Sequence, residues 1–171
     1  MAITASDIQF FLSGGSGNTD PNASLGGAIS SSTQLSGTPL HNLFDIVSSA
    51  EAATGESEYR CFYIKNAHGT LTLQNAKFWI STDSSGASSD VELALAGEGV
   101  NGTAETVANE NTAPVGESFV NTAISEGAAL SIGNIPAGQH QAVWVKRIIP
   151  ASAPAATGVG VTFTVKGDTA A

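Results

Sequence analysis

Glu58-Tyr-Arg-Cys-Phe-Tyr-Ile-Lys-Asn66 is the stretch on which the fold turns. Side chains of an extended strand alternate between two faces. That sets Tyr59, Cys61 and Tyr63 against Arg60, Phe62 and Ile64. Aromatic and β-branched residues favour such a pleated, half-buried surface. Asn66-Ala-His-Gly69 then supplies turn formers, and Thr70-Leu-Thr-Leu73 returns to alternation.

The same signature spreads in both directions. Lys77-Phe-Trp-Ile80 and Val91-Glu-Leu-Ala-Leu-Ala96 read as strands on either side of a polar loop, Ser81 to Asp90. Glu117 to Asn121, Ala129 to Ile132, Gln141 to Ile149 and Gly160 to Val165 follow, the last strictly alternating. Ile135-Pro-Ala-Gly138 is a turn with Pro second and Gly fourth. Upstream, Leu43-Phe-Asp-Ile-Val47 and Ile8-Gln-Phe-Phe-Leu12 complete the set. Residues 97–116 are rich in Gly, Asn and Thr, and one or two helical turns are expected over Thr103 to Glu110. Many short strands with turn signals between them predict an all-β chain, an antiparallel β-sandwich of jelly-roll or Ig-like type. Cys61, Tyr63, Trp79, Trp144 and Phe163 are its expected core, because each lies among apolar strand residues.

Residues 1–42 differ from the rest. The strand at Ile8 runs into Ser13-Gly-Gly-Ser-Gly-Asn-Thr-Asp-Pro-Asn22, dense in turn formers, and then into Leu25-Gly-Gly-Ala-Ile29. The expected organisation is an N-terminal arm over 1–42 and a sandwich body over 43–171. Phe10, Phe11, Leu12, Leu25 and Ile29 give the arm apolar anchors, so they are the candidate interface through which it docks.

Charge narrows the function. The 171 residues carry 15 acids and 6 bases, a formal net charge of −9. No row of cations is available for phosphates or an anionic bilayer, so neither nucleic acid nor membrane is an expected partner. Met1 to Asp7 lacks the basic and long apolar regions of a secretory signal, and synthesis in a cytoplasm is expected. Cys61 is the single cysteine, which precludes an intrachain disulfide.

The chemical motifs fail on their spacing. Gly97-Glu-Gly99-Val-Asn-Gly102 matches a dinucleotide fingerprint, but the preceding strand carries Glu92 and no βαβ frame surrounds it. Asn18, Asp20 and Asn22 open like a calcium loop, yet the twelfth position is Ile29 where a bidentate Glu is required. Gly14-Gly-Ser16-Gly17 puts Asn18 where a nucleophile elbow needs glycine. His41, His68 and His140 stand apart from one another, without metal-ligand spacing. Lys146-Arg147 is the one adjacent basic pair, and one of the two must point outward. No enzyme activity, cofactor or metal is expected.

Asp7-Ile-Gln-Phe-Phe-Leu-Ser-Gly-Gly15, Asn18-Thr-Asp-Pro-Asn-Ala-Ser-Leu-Gly-Gly-Ala-Ile29, Glu58 to Asn66, Ile135-Pro-Ala-Gly-Gln139 and Ala142-Val-Trp-Val-Lys-Arg147 together resemble tailed-bacteriophage virion structural proteins of the capsid decoration, or cement, type. The resemblance implies a non-enzymatic protein on the outer surface of the head. It implies the major capsid protein as partner, bridging of its subunits to stabilise the shell, and self-association, commonly as a homotrimer. The rival readings are a tail or tail-fibre host-recognition module and a carbohydrate-binding β-sandwich with Trp79 or Trp144 as stacking platform.

Overall fold

The longest ladder joins two strands that lie far apart in the chain. In the computed structural model, which describes residues 2–169, every residue from Glu56 to Lys65 pairs antiparallel with one from Ile149 back to His140. The strands in order are β1 (Ile8–Leu12), β2 (Gly26–Gly27), β3 (Glu56–Asn66), β4 (Leu73–Asp83), β5 (Asp90–Leu95), β6 (Ala104–Thr106), β7 (Leu130–Ile135), β8 (His140–Ile149) and β9 (Val161–Thr169). The helix α1 (Ser49–Thr54) spans six residues. Its Ser48 cap and Glu51 bond each other's backbone N–H groups reciprocally, and it stops at Gly55.

Two antiparallel sheets face each other: a four-stranded β1-β3-β8-β5 sheet and a three-stranded β7-β4-β9 sheet. Phe62, Ile64, Leu93, Val143 and Val145 of the first meet Leu73, Phe78, Ile80 and Ile135 of the second, with Phe163 and Val165 packed against them. Phe62 lies within 5.8 Å, centroid to centroid, of Phe10, Phe78 and Phe163. The chain is therefore an all-β sandwich. Its second sandwich strand, β3, neighbours the sixth, β8, whereas immunoglobulin domains pair the second with the fifth.

The four-stranded sheet is covered on its other face too. Phe11, Tyr59, Cys61, Tyr63, Ala94 and Trp144 form a second apolar cluster there, with Leu25, Ile29 and Phe119 packed onto it. A small flap made of β2 and β6 lies over this face. Its closeness demands glycine at position 26. A Cβ on Gly26 would sit 1.7 Å from the Glu105 carbonyl oxygen and 3.0 Å from the Trp144 ring, and its φ is +86°. Burial from both sides explains why β3 and β8 are almost continuously buried rather than alternating.

Several expectations are corrected here. Ile8 to Leu12 is not part of a detached arm. It is the edge strand β1, paired with β3 over five residues, and Phe11 and Leu12 are buried by their own chain. Phe10 packs on the inter-sheet core, and Leu25 and Ile29 pack on the second cluster. The apolar groups expected to anchor on a neighbour thus pack against this chain's own sheets. An edge strand exposes unpaired N–H and C=O groups that favour pairing within the chain first. The β1 edge is closed in turn, because Leu12 N–H donates to Thr33 O at 3.1 Å and Leu35 N–H to Phe10 O at 2.8 Å.

Thr103 to Glu110 holds no helix. Ala104–Thr106 pairs with β2 instead, since a β ladder satisfies backbone groups that a short polar helix would leave open at both ends. Leu43 to Val47 is irregular, although Leu43 is buried. Glu117 to Asn121 contributes a single bridge, Val120 with Leu93. The break expected before Lys77 is a bulge inside β4, with Asn75 at φ +51°.

Candidate functional site

The inner face of β3 is apolar at Phe62 and Ile64 and charged at Glu58 and Arg60. The charges cap one end of the inter-sheet core. Glu58 and Arg147 are direct cross-strand partners, and Arg147 Nε donates to Glu58 Oε2. Arg147 also reaches the irregular segment before α1, donating to the Asp45 carbonyl at 2.8 Å and to its carboxylate at 3.4 Å. Arg60 donates to Glu110, whose own backbone carbonyl accepts from Tyr59 N–H at 2.7 Å. Phe44 lies beside both guanidiniums, 4.7 Å from that of Arg147 and 5.5 Å from that of Arg60.

One oxygen from each of Asp45, Glu58 and Glu110 lies within 4.8 Å of the others, a spacing a cation could use. Two arginines already occupy those oxygens, so a metal would have to displace buried guanidiniums. The donor set fits arginine, not a divalent ion. Burial pushes the Glu58 carboxyl above the usual range, offset in part by Arg147. The cluster is a structural clamp that holds residues 44–45 and 110 against the strand pair. The pattern Glu58-x-Arg60-x-Phe62-x-Ile64, an apolar face ending in two charges, was the available signal for it.

The second polar anchor is Tyr63. Its hydroxyl donates to the Gly27 carbonyl at 2.6 Å and accepts from Ala104 N–H at 2.9 Å, so one side chain pins both strands of the flap. Burial raises its pKa to about 12. Cys61 is wholly buried, and desolvation raises its thiol pKa far above the usual value, which makes it inert. His140 stands edge-on to Tyr63 at 4.8 Å, and desolvation holds its pKa below the ordinary value. His68 Nδ1 accepts from the Thr70 and Leu71 N–H groups and so organises a turn.

The sequence motifs resolve into local structure. Asn18 Oδ1 and Asp20 Oδ1 each accept a backbone N–H two residues on, at 2.9 Å, as Asx turns do. Gly97 to Gly102 forms consecutive turns, with bonds from Gly99 N–H to Ala96 O and from Gly102 N–H to Gly99 O. Lys146 pairs with Glu92 at 2.9 Å, so both members of the basic pair are engaged inside the chain.

A shallow cleft of about 400 Å³ crosses the outer face of the three-stranded sheet, with Asn75, Lys77, Glu126, Ser131, Lys166 and Asp168 among its lining. Lys166 pairs with Glu126 at 2.6 Å and Asn75 with Asp168 at 3.1 Å. No aromatic ring lines it. Trp144 is fully buried and Trp79 is 8% exposed, so neither indole offers a face for stacking a sugar. Among the described residues four large aliphatic side chains face solvent: Leu40 at 54%, Ile46 at 71%, Val115 at 80% and Ile124 at 61%. Among the described residues no helix is long and apolar enough to cross a membrane. No family model matches the chain, and no curated protein or solved structure matches it either.

Proposed function

We propose that this chain is a non-enzymatic bacteriophage virion protein of the capsid decoration type. In this reading it works on the outer head surface, binds the major capsid protein and itself as a homotrimer, and stabilises the shell. The observation that carries the reading is where the molecule puts its chemistry. Charged groups that the fold buries are matched inside the chain, while Leu40, Ile46, Val115 and Ile124 stand out of its loops. These four side chains are the ones this reading assigns to contact with another protein. The resemblance of the leader and of Glu58 to Asn66 to cement proteins supplies the partner.

Those aliphatic side chains replace Phe10, Phe11, Leu12, Leu25 and Ile29 as the contact residues. Four of the six basic residues are held in intrachain ion pairs, so the contact is apolar and survives moderate salt. Many copies on a symmetric lattice add their weak contacts together. The test adds purified protein to heads stripped of it and compares Leu40→Asp, Ile46→Asp, Val115→Asp and Ile124→Asp. At least one of these should lower occupancy at least tenfold (about 1.4 kcal/mol) while the melting temperature holds. Unchanged occupancy for all four overturns the assigned surface. Failure of the unaltered protein to bind any head overturns the function.

A further inference from the structure

We propose that Asn101 is a site of spontaneous covalent modification, deamidating through a succinimide to aspartate and isoaspartate. Asn101-Gly102 is the chain's one Asn-Gly pair. The residue after the asparagine supplies the attacking backbone nitrogen, and glycine leaves that nitrogen unshielded because it has no side chain. Asn101 is exposed and occupies the third position of the turn from Gly99 to Gly102, at φ +62°.

Its carboxamide is free. Among the described residues no side-chain hydrogen bond holds Asn101, whereas Asn18, Asn42, Asn66, Asn75 and Asn111 all donate from theirs. The attacking nitrogen itself is restrained by the bond from Gly102 N–H to Gly99 O at 3.1 Å. It is a single surface turn bond, and such bonds open locally without global unfolding. Opening frees the nitrogen and lets the chain rotate toward the side-chain carbonyl.

The step balances without an added reagent. Gly102 N gives its proton to solvent base and attacks Asn101 Cγ. The new N–Cγ bond forms, the Cγ–NH₂ bond breaks, and ammonia leaves. Water then opens the ring. Cleavage at the side-chain carbonyl gives aspartate, and cleavage at the main-chain carbonyl gives isoaspartate. The sum is asparagine plus water to acid plus ammonia, and nothing is oxidised or reduced.

The consequence is local. Asn101 N–H donates to the His140 carbonyl at the start of β8 at 2.7 Å, and Glu98 in the same loop accepts from Glu105 N–H of β6 at 2.8 Å. Glu117 binds Gly97 N–H at 2.8 Å, so the new charge joins three carboxylates on one loop system. Isoaspartate also lengthens the main chain inside a bonded turn. Both changes loosen residues 97–106.

The test ages the folded full-length chain in mildly alkaline buffer at body temperature. Glutamyl endopeptidase cuts after Glu98 and Glu105 and releases Gly99 to Glu105 for mass spectrometry. The peptide should gain one mass unit and split into two chromatographic species. It should convert at least an order of magnitude faster than the Asn22 and Asn121 peptides from the same sample, and Asn101→Gln should abolish the change. A native-state rate no greater than that of Asn22 and Asn121 overturns the proposal. So does conversion confined to the urea-unfolded chain, because the turn then protects the site.

Discussion

The Tyr63 hydroxyl and the Ala104 N–H are bonded at 2.9 Å, across two layers that no periodic pattern connects. The same hydroxyl donates to the Gly27 carbonyl, so one phenol bonds both flap strands, beside the backbone bond from Cys61 N–H to Ser24 O at 2.8 Å. Removing that oxygen leaves a buried N–H without a partner, which costs about 1–3 kcal/mol. Tyr63→Phe should lower stability by that amount in urea titrations. Amide exchange should quicken at residues 24–27 and 104–107 and stay unchanged in β4. The phenol should ionise only near pH 12 in the native protein, read by ultraviolet absorbance.

The Glu58–Arg147 pair yields a signed pH dependence. Burial raises the Glu58 pKa in the folded state, so the folded chain holds that proton more tightly than the unfolded one. The stabilising contribution is complete below the unfolded pKa and declines as pH rises through the raised folded pKa. The advantage of the parent over Glu58→Gln should therefore be largest in acid and shrink toward neutrality. Glu58→Ala leaves the half-buried Arg147 held by Asp45 alone and should cost about 1–3 kcal/mol at neutral pH. A parent-over-Gln advantage that grows with pH would show that the arginine outweighs burial.

Truncation separates an arm from an integral strand. Loss of residues 1–30 removes β1 and the flap strand β2, and it uncovers Phe62 and Trp144. Deletion of Phe11 and Leu12 alone empties two core positions, each worth about 2–5 kcal/mol. The truncated chain should lose its cooperative melting transition by circular dichroism. A truncated protein that melts like the parent would restore the arm.

Trp144 gives a test with an unusual sign. Its indole N–H is buried and has no hydrogen-bond partner. That loss already weighs on the native state, so Trp144→Phe gives up volume without orphaning a further group. It should cost less than Tyr63→Phe although it removes more atoms. Native emission should be blue-shifted and resist acrylamide, because Trp79 and Trp144 are both buried.

The strands were legible where one face alternates or a run is aliphatic. Ile8 to Leu12 was read with its observed bounds, and Gln141 to Ile149 differs from β8 by one residue. What stayed hidden was pairing between distant segments. A two-residue strand such as Gly26–Gly27 has no period, so nothing marks it as the partner of Ala104–Thr106. The clamp draws Asp45, Glu58, Glu110 and Arg147 from four places in the chain, and only Glu58 and Arg60 are close enough to share a readable pattern. The leader misled because its apolar residues are the same whether they cover a neighbour or their own sheet.

Separation of heads from tails tests the central claim most directly. Under the proposed function, virions carrying this chain would be disassembled and the fractions quantified by mass spectrometry. The account predicts the chain with the heads, in fixed ratio to the major capsid protein, and released before that shell dissociates. Recovery only with tails, or absence from the particle, contradicts it.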